Sequence, residues 1–561
     1  MKRFKLIKSL ALVLLITVGV SSCEDFLNRP TVDNYTLDGF YQTDAQCFQA
    51  INPVYNSPWY DFQRGFFKIG EVLSGNYYWG SSPYLTFTIN STDADLVNMS
   101  ASLWSVNAYC NGIIENINLK SGPNVTTATK NTVKGEALVW KAMAYFYLVR
   151  TFGAVPIVHN NSAEIAAGNY NQVFKATIPN VYDYIIMTLE KAIEWLPAQN
   201  QPGRIDKYSA YGLLAKVYLT KSGYGMNGSR NADDLAKAAQ YAKKVIDESG
   251  RSLMPVYSDI FRLKNNFSQE SLLAWHWVVS NNWTSQNTLQ SDLGINGIDE
   301  YGATWGGWNG PSVDLQDAFG ENALSLTRNN IDARRKATMM MYGDKYDYFW
   351  VDKGGLDYNE FAINRAEYES AVGANEVKHI VGNNNDHVIG IGTSMDRMAT
   401  SLSTHLLRLA DVYLIYAEAM IGNNGSTSDA SAVKAFNDVR RRSVQGYTPK
   451  TSITWQDVWK ERRLELACEG DRWYDYVRWH YYEPAKAIAE LKGQRRNAYN
   501  GLGTYYKTGI LNPSNTYYDT GASAPNVQDK DFQLPFPDTD LTMNPNLLKE
   551  PVEFDLSTLS Y

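Results

Sequence analysis

Apolar side chains recur at every third or fourth position in several stretches of the chain, which is the spacing of one helix face. The stretch from Val181 to Leu196 keeps this spacing throughout, and Pro197 ends it because proline cannot continue a helix. A second stripe runs from Leu138 to Val149 and is closed by Gly153. Further stripes that predict helices lie at 208–219, 235–246, 406–417 and 432–439.

The predicted helices follow one another through short linkers rich in Gly, Asn or Pro, which is typical of helical hairpins. Alanines such as Ala142 and Ala215 lie on the inner stripes, where small side chains let helices approach closely. Stacked hairpins of this kind are typical of tetratricopeptide-like arrays, although no regular period of about 34 residues is present. We therefore expect a mostly α fold, with a helical scaffold at about 100–260 and 400–480.

Two regions lack a long helical stripe. Residues 56–100 are rich in Tyr, Trp, Gly, Ser and Asn, and residues 275–400 hold most of the remaining Gly and Asn with six tryptophans. Connecting segments carry binding residues more often than scaffolds do. We expect these regions to be long irregular loops that pack on the helical array and carry the function.

The segment from Ile453 to Trp479 is predicted to be helical but is highly charged. On a helix Arg462 would face Glu465, and Glu469 would face Arg472, since each pair is three residues apart. Such partners neutralise each other where a charged helix packs into a protein body. We therefore interpret this block as structural rather than catalytic.

The first residues have the layout of a secretory signal. Lys2, Arg3, Lys5 and Lys8 precede a short apolar run, and small residues lead to Cys23. A cysteine at the cleavage point resembles the lipobox of bacterial lipoproteins, so we expect residues 1–22 to be removed and Cys23 to be lipidated. Multiple acyl chains anchor a protein stably, whereas one chain does not. Residues 23–561 would then form a single domain on a lipid tether.

Composition and charge limit the class of protein to which the chain can belong. Of the 561 residues 44% are hydrophobic and 20% are charged, as in ordinary globular proteins, and the formal net charge is −7. No basic tract lies beyond the first eight residues, so we expect no nucleic-acid partner. Lipidation of Cys23 would leave three cysteines, so a disulfide framework is not expected.

Several motifs occur in a fixed order along the chain. They include a GEA…LVR-FG-VP signature from Gly135 to Pro156, an LRLADVYL helix from Leu407 to Leu414, and the charged block from Glu461 to Trp479. In type and order these motifs resemble those of the SusD/RagB family of nutrient-uptake lipoproteins. Asp411 stands where the family usually has Glu, and Lys141 where it usually has Arg. Neither departure affects the expected fold.

The resemblance implies a SusD-like fold, with a ligand site on the loop-rich face. It implies an outer-membrane lipoprotein that faces the cell exterior, binds oligosaccharide or polysaccharide, and passes it to a SusC-like TonB-dependent transporter. A RagB-like relative would bind peptides instead. The resemblance does not say which ligand is bound, nor whether a structural calcium ion is present.

Motifs that would indicate catalysis are missing from the sequence. There is no HExxH, no GxSxG and no P-loop, and Gly390-Ile391-Gly392 lacks the third glycine of a dinucleotide-binding loop. His379 and His387 lie in a Gly- and Asn-rich stretch, for which we expect a solvated loop rather than a metal site. We therefore expect no enzyme activity, no cofactor and no metal.

Binding remains as the expected task, and two loops suit it. Aromatic rings can cover the C–H face of a sugar, while polar side chains bond to its hydroxyl rim. Glycines between the aromatic residues would let the backbone leave the indoles projecting. The candidate glycan-binding residues are Trp305, Trp308 and Asn309 in the first loop, Asn76, Tyr77, Tyr78 and Trp79 in the second, and Trp283.

Four functional readings stay open at this point. The first is a glycan-binding lipoprotein that works with a transporter, and the second is a peptide-binding member of the same family. The third is a surface glycosidase, whose two carboxylates a sequence cannot bring together. The fourth is a lid for the transporter with no ligand of its own.

Overall fold

A computed structural model describes residues 39–510 and 525–561, and only the backbone of 517–518. Helices dominate it. The helices of the first half are α1 Asp44–Ile51, α2 Gln63–Phe67, α3 Pro83–Thr86, α4 Ala94–Lys120, α5 Thr127–Phe152, α6 Asn161–Ala166, α7 Ile178–Trp195, α8 Lys207–Lys221 and α9 Ala232–Glu248. The later helices are α10 Leu289–Leu293, α11 Val313–Ala318, α12 Ala333–Thr338, α13 Asn384–Ile391, α14 Leu409–Ile421, α15 Ala430–Ser443, α16 Trp455–Glu465, α17 Arg472–His480, α18 Pro484–Lys492, α19 Leu502–Thr508 and α20 Asp538–Met543.

The long helices stack as the stripes predict. Helix α5 packs between α4 and α7, α8 packs on α7 and α9, and α14 joins α9 to α15 and α16. Ala142 and Ala215 are fully buried at these contacts. This arrangement confirms the tetratricopeptide-like array of helical hairpins with irregular segments packed on it. None of the helices in the described residues is both long and apolar enough to cross a membrane.

Short antiparallel strand pairs connect the loop-rich segments. The strands are β1 Tyr77–Tyr78, β2 Ser271–Trp275, β3 Gly310–Pro311, β4 Met339–Met341, β5 Lys345–Tyr346, β6 Leu356–Asp357, β7 Ala374–Glu376, β8 Thr404–Arg408, β9 Ser426–Thr427, β10 Ile453–Thr454, β11 Ala498–Tyr499 and β12 Tyr517–Tyr518. Each pairs with one other strand, and β1 pairs with β3, β2 with β8 and β4 with β7. The pairing of β2 with β8 corrects one prediction: Leu406 and Leu407 lie in a strand, and the helix begins only at Leu409.

The charged block also departs from its predicted form. It contains two helices, α16 and α17, and the backbone between them turns through Cys468 and Gly470, which both have positive φ. Gly470 lies against the ring of Phe66 and the backbone of Gly70, so no side chain fits there. The segment is therefore helical as predicted on both sides of this turn, and the left-handed backbone that Gly470 allows separates the two helices.

Many ion pairs of this block join it to distant parts of the chain, although Asp475 also pairs with Arg472 and Arg478 on its own helix. Glu465 contacts Arg334, Arg408 and Arg442, and all four side chains are almost completely buried. Arg462 contacts Asp411 and Asp475, and Glu469 contacts Arg408 and Lys378, so the predicted pairs within the block are wrong. Buried charges need such partners because an unpaired charge in a protein interior is costly.

Candidate functional site

The three exposed tryptophans of the described residues are Trp283, Trp305 and Trp308, with exposed fractions of 46%, 42% and 40%. We call these three residues the tryptophan surface. Large aromatic side chains are usually buried, so exposed groups of them often mark interaction sites. All three belong to the sequence-predicted candidates.

One helical segment lies behind the tryptophan surface. The chain runs through a 3₁₀ turn Ser57–Phe62, helix α2 and a π-turn Lys68–Val72. Tyr60 lies in the 3₁₀ turn, Arg64 in α2 and Lys68 at the start of the π-turn.

Each tryptophan is attached to a different turn of this segment. The ring of Trp283 meets Tyr60 edge-on with ring centroids 6.4 Å apart. Trp305 reaches Arg64 through a shared carboxylate: its Nε1 donates to Asp292 Oδ1 at 3.0 Å, and Arg64 Nε lies 3.5 Å from Asp292 Oδ2.

Trp308 is attached at the third turn. Its ring meets Trp79 edge-on at 5.8 Å between centroids, and the Nζ of Lys68 lies 5.2 Å from the Trp79 ring centroid. Through these contacts the three tryptophans connect to successive parts of the segment Ser57–Val72, in the order Trp283, Trp305, Trp308, and we call this arrangement the row.

The second candidate loop is buried beneath this row. Asn76 and Tyr77 have no exposed surface, Tyr78 is 5% exposed and Trp79 is 8% exposed. Strand β1 of this loop pairs with β3, which follows directly after Trp308 and Asn309. The two loops that the sequence separates by more than 200 residues are thus one structural unit, with the second loop supporting the first.

Asn309 is also an internal residue. Its Oδ1 accepts a hydrogen bond from the Tyr77 hydroxyl at 2.8 Å, and its Nδ2 donates to the Asp292 carbonyl at 3.0 Å. Asn76 donates from Nδ2 to Glu71 and accepts from Arg463. A ligand on the surface does not reach these amides in this conformation, because both are covered and fully engaged in the protein.

The glycines of the first loop act by their small size and not by an unusual backbone conformation. Gly306 and Gly307 do not have positive φ. A Cβ on Gly306 would lie 2.3 Å from the Asp292 carbonyl oxygen, and one on Gly307 would lie 1.8 Å from Glu369 Oε2. The predicted role of these glycines is therefore corrected: they let the loop lie directly on neighbouring chain, which fixes the direction of both indoles.

Charges behind the row pair with one another. Arg64, whose side chain is half exposed, contacts Asp95 and Asp292, and Lys68 also pairs with Asp95. Burial raises the pKa of Asp292, and the charge of Arg64 partly opposes that rise. These two cationic and two anionic side chains offset one another, and the exposed carboxylates of Asp61 and Glu369 lie beside them.

Sequence reasoning missed Tyr60, Arg64 and Asp292. The spacing of Tyr60, Arg64 and Lys68 carries a helical signal, but the turn changes from 3₁₀ to α to π along it, which hides a regular stripe. Asp292 has no sequence signal, since its importance comes from the loops that meet around it.

Both histidines considered for metal binding are held by the protein itself. His379 Nε2 lies 2.8 Å from the Cys468 carbonyl oxygen, and His387 bonds to the Thr393 carbonyl and the Ser401 amide. Among the described residues no group of three or more His, Cys, Asp or Glu side chains could hold a metal ion. Cys47, Cys110 and Cys468 are buried and free.

The fold and this row of aromatic side chains define a helical-repeat protein with an open, aromatic surface. Comparison with known proteins identifies the family of this fold. Residues 208–552 match the model of the SusD family, and residues 22–219 match a family described as starch-binding and associating with the outer membrane. The chain belongs to the SusD family, a family of carbohydrate-binding proteins.

Individual relatives cover nearly the whole chain. A SusD-like protein of Bacteroides ovatus is 33% identical over 98% of both chains, and the starch-binding protein SusD of Bacteroides thetaiotaomicron is 24% identical over 90% of this chain and 95% of its own. A crystal structure solved with xylogluco-oligosaccharide superposes with a TM-score of 0.78 at 32% identity, covering 91% of this chain and 99% of that one.

Proposed function

We propose that this protein is a glycan-binding lipoprotein of the cell surface, which captures oligosaccharides and delivers them to a SusC-like TonB-dependent transporter. The observation that carries the proposal is the row of Trp283, Trp305 and Trp308 on a buried frame. Indole faces cover the C–H faces of sugar rings, and several in a row suit a chain of them.

The frame supports tight binding because it fixes the row before a ligand arrives. The loop of Trp305 and Trp308 is held by strand pairing, by Asn309 and by the close contacts of Gly306. Rigid binding groups lose little conformational entropy on association, so more of the contact energy appears as affinity. In this proposal Asn76, Tyr77, Tyr78, Trp79 and Asn309 position the row instead of touching the ligand.

A neutral, extended glycan is the proposed ligand class. The row is open and aromatic, and the relative solved with xylogluco-oligosaccharide is 32% identical to this chain. Xyloglucan fragments are therefore the first ligands to test. The sequence supports the remaining parts of the proposal: Cys23, outside the described residues, would carry the lipid anchor in the outer membrane, with the body facing the cell exterior.

The proposal is tested by calorimetry on the soluble chain that begins at Glu24. Xylogluco-oligosaccharides, laminarin and starch oligosaccharides and a peptide mixture serve as ligands. Trp305→Ala and Trp308→Ala should each weaken glycan binding by about tenfold or more, because anchoring aromatics of this kind carry about 1.4 kcal/mol or more each. Tyr109→Ala, which removes an exposed aromatic outside the row, should leave affinity unchanged.

Other outcomes would redirect the proposal. Binding of peptides alone would favour a RagB-like peptide carrier. Glycan binding that survives loss of both Trp305 and Trp308 would overturn the tryptophan surface as the site. Hydrolysis of the bound glycan, abolished by replacing one carboxylate, would identify an enzyme. If none of the ligands binds and transporter binding is intact, the result would favour a lid without its own ligand.

A further inference from the structure

Asp292 lies where the parts of the tryptophan surface meet. It belongs to the short helix α10 and is 7% exposed. Its Oδ1 accepts the indole hydrogen of Trp305, its Oδ2 faces Arg64, and its carbonyl oxygen accepts from Asn309. One residue thus orients a tryptophan, a half-exposed guanidinium and the buried amide beneath Trp308.

The surroundings of the Asp292 carboxylate oppose its ionisation overall. Burial raises its pKa, and nearby Asp95 from α4 acts in the same direction. Arg64 from α2, the Trp305 hydrogen bond and Lys68 from the π-turn lower it, but the pKa stays above its ordinary value. Tyr60 is the remaining titratable group facing it, and Asp292 raises the pKa of that phenol, although burial raises it more.

We propose that Asp292 is the positioning residue of the glycan site, and that binding requires its carboxylate to be ionised. The inference rests on the proposed function and adds that the pH of the solution controls glycan binding. An indole nitrogen can only donate, so Trp305 needs an acceptor, and an ionised carboxylate is a stronger acceptor than a carboxylic acid. Protonation would also free Arg64 to turn toward Asp95 alone.

The direction of the pH effect follows from this requirement. Because the ligand binds the ionised form better, affinity is complete above the pKa of Asp292 and falls as pH drops through it. The pKa of Asp292 lies above its ordinary value, so the loss begins at a higher pH than it would for a solvent-exposed aspartate. Binding also lowers the pKa of Asp292, and complex formation therefore releases protons in that range.

The test is calorimetry of the soluble chain with xylogluco-oligosaccharide at pH 7.5 and at pH 4.5, in buffers of different ionisation enthalpy. The wild-type chain should bind more weakly at pH 4.5 than at pH 7.5, with proton release on binding. Asp292→Asn should bind more weakly than the wild type at pH 7.5, and its affinity should not depend on pH. Asp352→Asn, an exposed carboxylate elsewhere, should keep the wild-type profile.

A second variant keeps the inference testable if Asp292→Asn folds poorly. Trp305→Phe keeps an aromatic face but has no indole nitrogen to donate, so its affinity should depend less on pH than that of the wild type. Wild-type binding with equal affinity at both pH values, in a chain that remains folded, would overturn the role of Asp292 and leave the proposed function standing. Absence of wild-type binding at either pH would overturn both.

Discussion

The helical scaffold buries a cluster of charged side chains, whereas the loop-rich regions leave three tryptophans exposed. Glu465 and Arg408 have no more than 1% of their side chains exposed, while Trp283, Trp305 and Trp308 are all at least 40% exposed. Burial in this protein therefore follows from the partners that a side chain finds and not from its polarity alone. Charges with several opposite partners go inside, and indoles held from behind by a frame stay outside.

The two regions also differ in what their residues do. The buried charges pair with one another inside the protein, where a ligand on the surface does not reach them. The exposed tryptophans contribute little to the core. Their exposed apolar surface does not add to the stability of the protein, as it would if it were buried. We therefore expect substitutions in the charge cluster to change stability, and substitutions in the tryptophan surface to change binding.

The largest expected effect comes from Glu465→Ala. It removes the common partner of Arg334, Arg408 and Arg442 and leaves three buried guanidinium groups short of a carboxylate. Losing one side of a buried ion pair costs about 3–5 kcal/mol, so the midpoint of urea unfolding should fall sharply. Asp247→Ala, which breaks an exposed pair with Lys243, should cost less than about 0.5 kcal/mol. Equal losses in the two variants would contradict the distinction between buried and exposed charge.

Glu376→Gln should raise the stability of the protein, whereas Glu465→Ala lowers it. Burial raises the pKa of Glu376 to about 8, and Glu71 adds to that rise. A carboxyl whose folded pKa is raised contributes stability that is present below its unfolded pKa and lost as pH rises through the folded pKa. The variant removes this loss, so it should be more stable than the wild type by about 3 kcal/mol at pH 8 and nearly equal at pH 4.5. A constant difference across this range would show that the carboxyl does not titrate there.

The smallest expected effect is that of Tyr77→Phe, which tests the frame beneath the row. It removes the hydroxyl that donates to Asn309 Oδ1 and leaves a buried acceptor unpaired, at a cost of about 1–2 kcal/mol in the free energy of unfolding. Glycan affinity should fall only slightly, since the tryptophans keep their other supports. Tyr109→Phe on the exposed surface should change neither quantity, and a large affinity loss for Tyr77→Phe would mean that Tyr77 contacts the ligand.

Much of the scaffold could be predicted from the sequence. The stripe from Val181 to Leu196 became helix Ile178–Trp195, and the stripe from Leu138 to Val149 lies within Thr127–Phe152. Local spacing is enough for such helices because one face repeats every three or four residues. Local spacing gave the wrong prediction for Leu406 and Leu407. Their apolar run forms a strand because it pairs with β2, which lies more than 130 residues earlier in the chain.

The candidate site could be predicted only in part. The sequence singled out Trp283, Trp305 and Trp308, but it grouped them with Asn76, Tyr77 and Asn309, which are buried. The difference between the two sets lies in the pairing of β1 with β3 and in the hydrogen bond from Tyr77 to Asn309. Neither contact has a local signature.

The sequence by itself determined the helical hairpins and the membership of the SusD family. It also determined which aromatic and charged side chains are present. Helix periodicity and motif order are properties of neighbouring residues, so they can be found without a structure. The tertiary structure alone decided which tryptophans face solvent, which carboxylate orients them and which arginines meet Glu465. These outcomes depend on contacts between residues hundreds of positions apart, and burial and charge pairing follow from how the whole chain closes around each side chain.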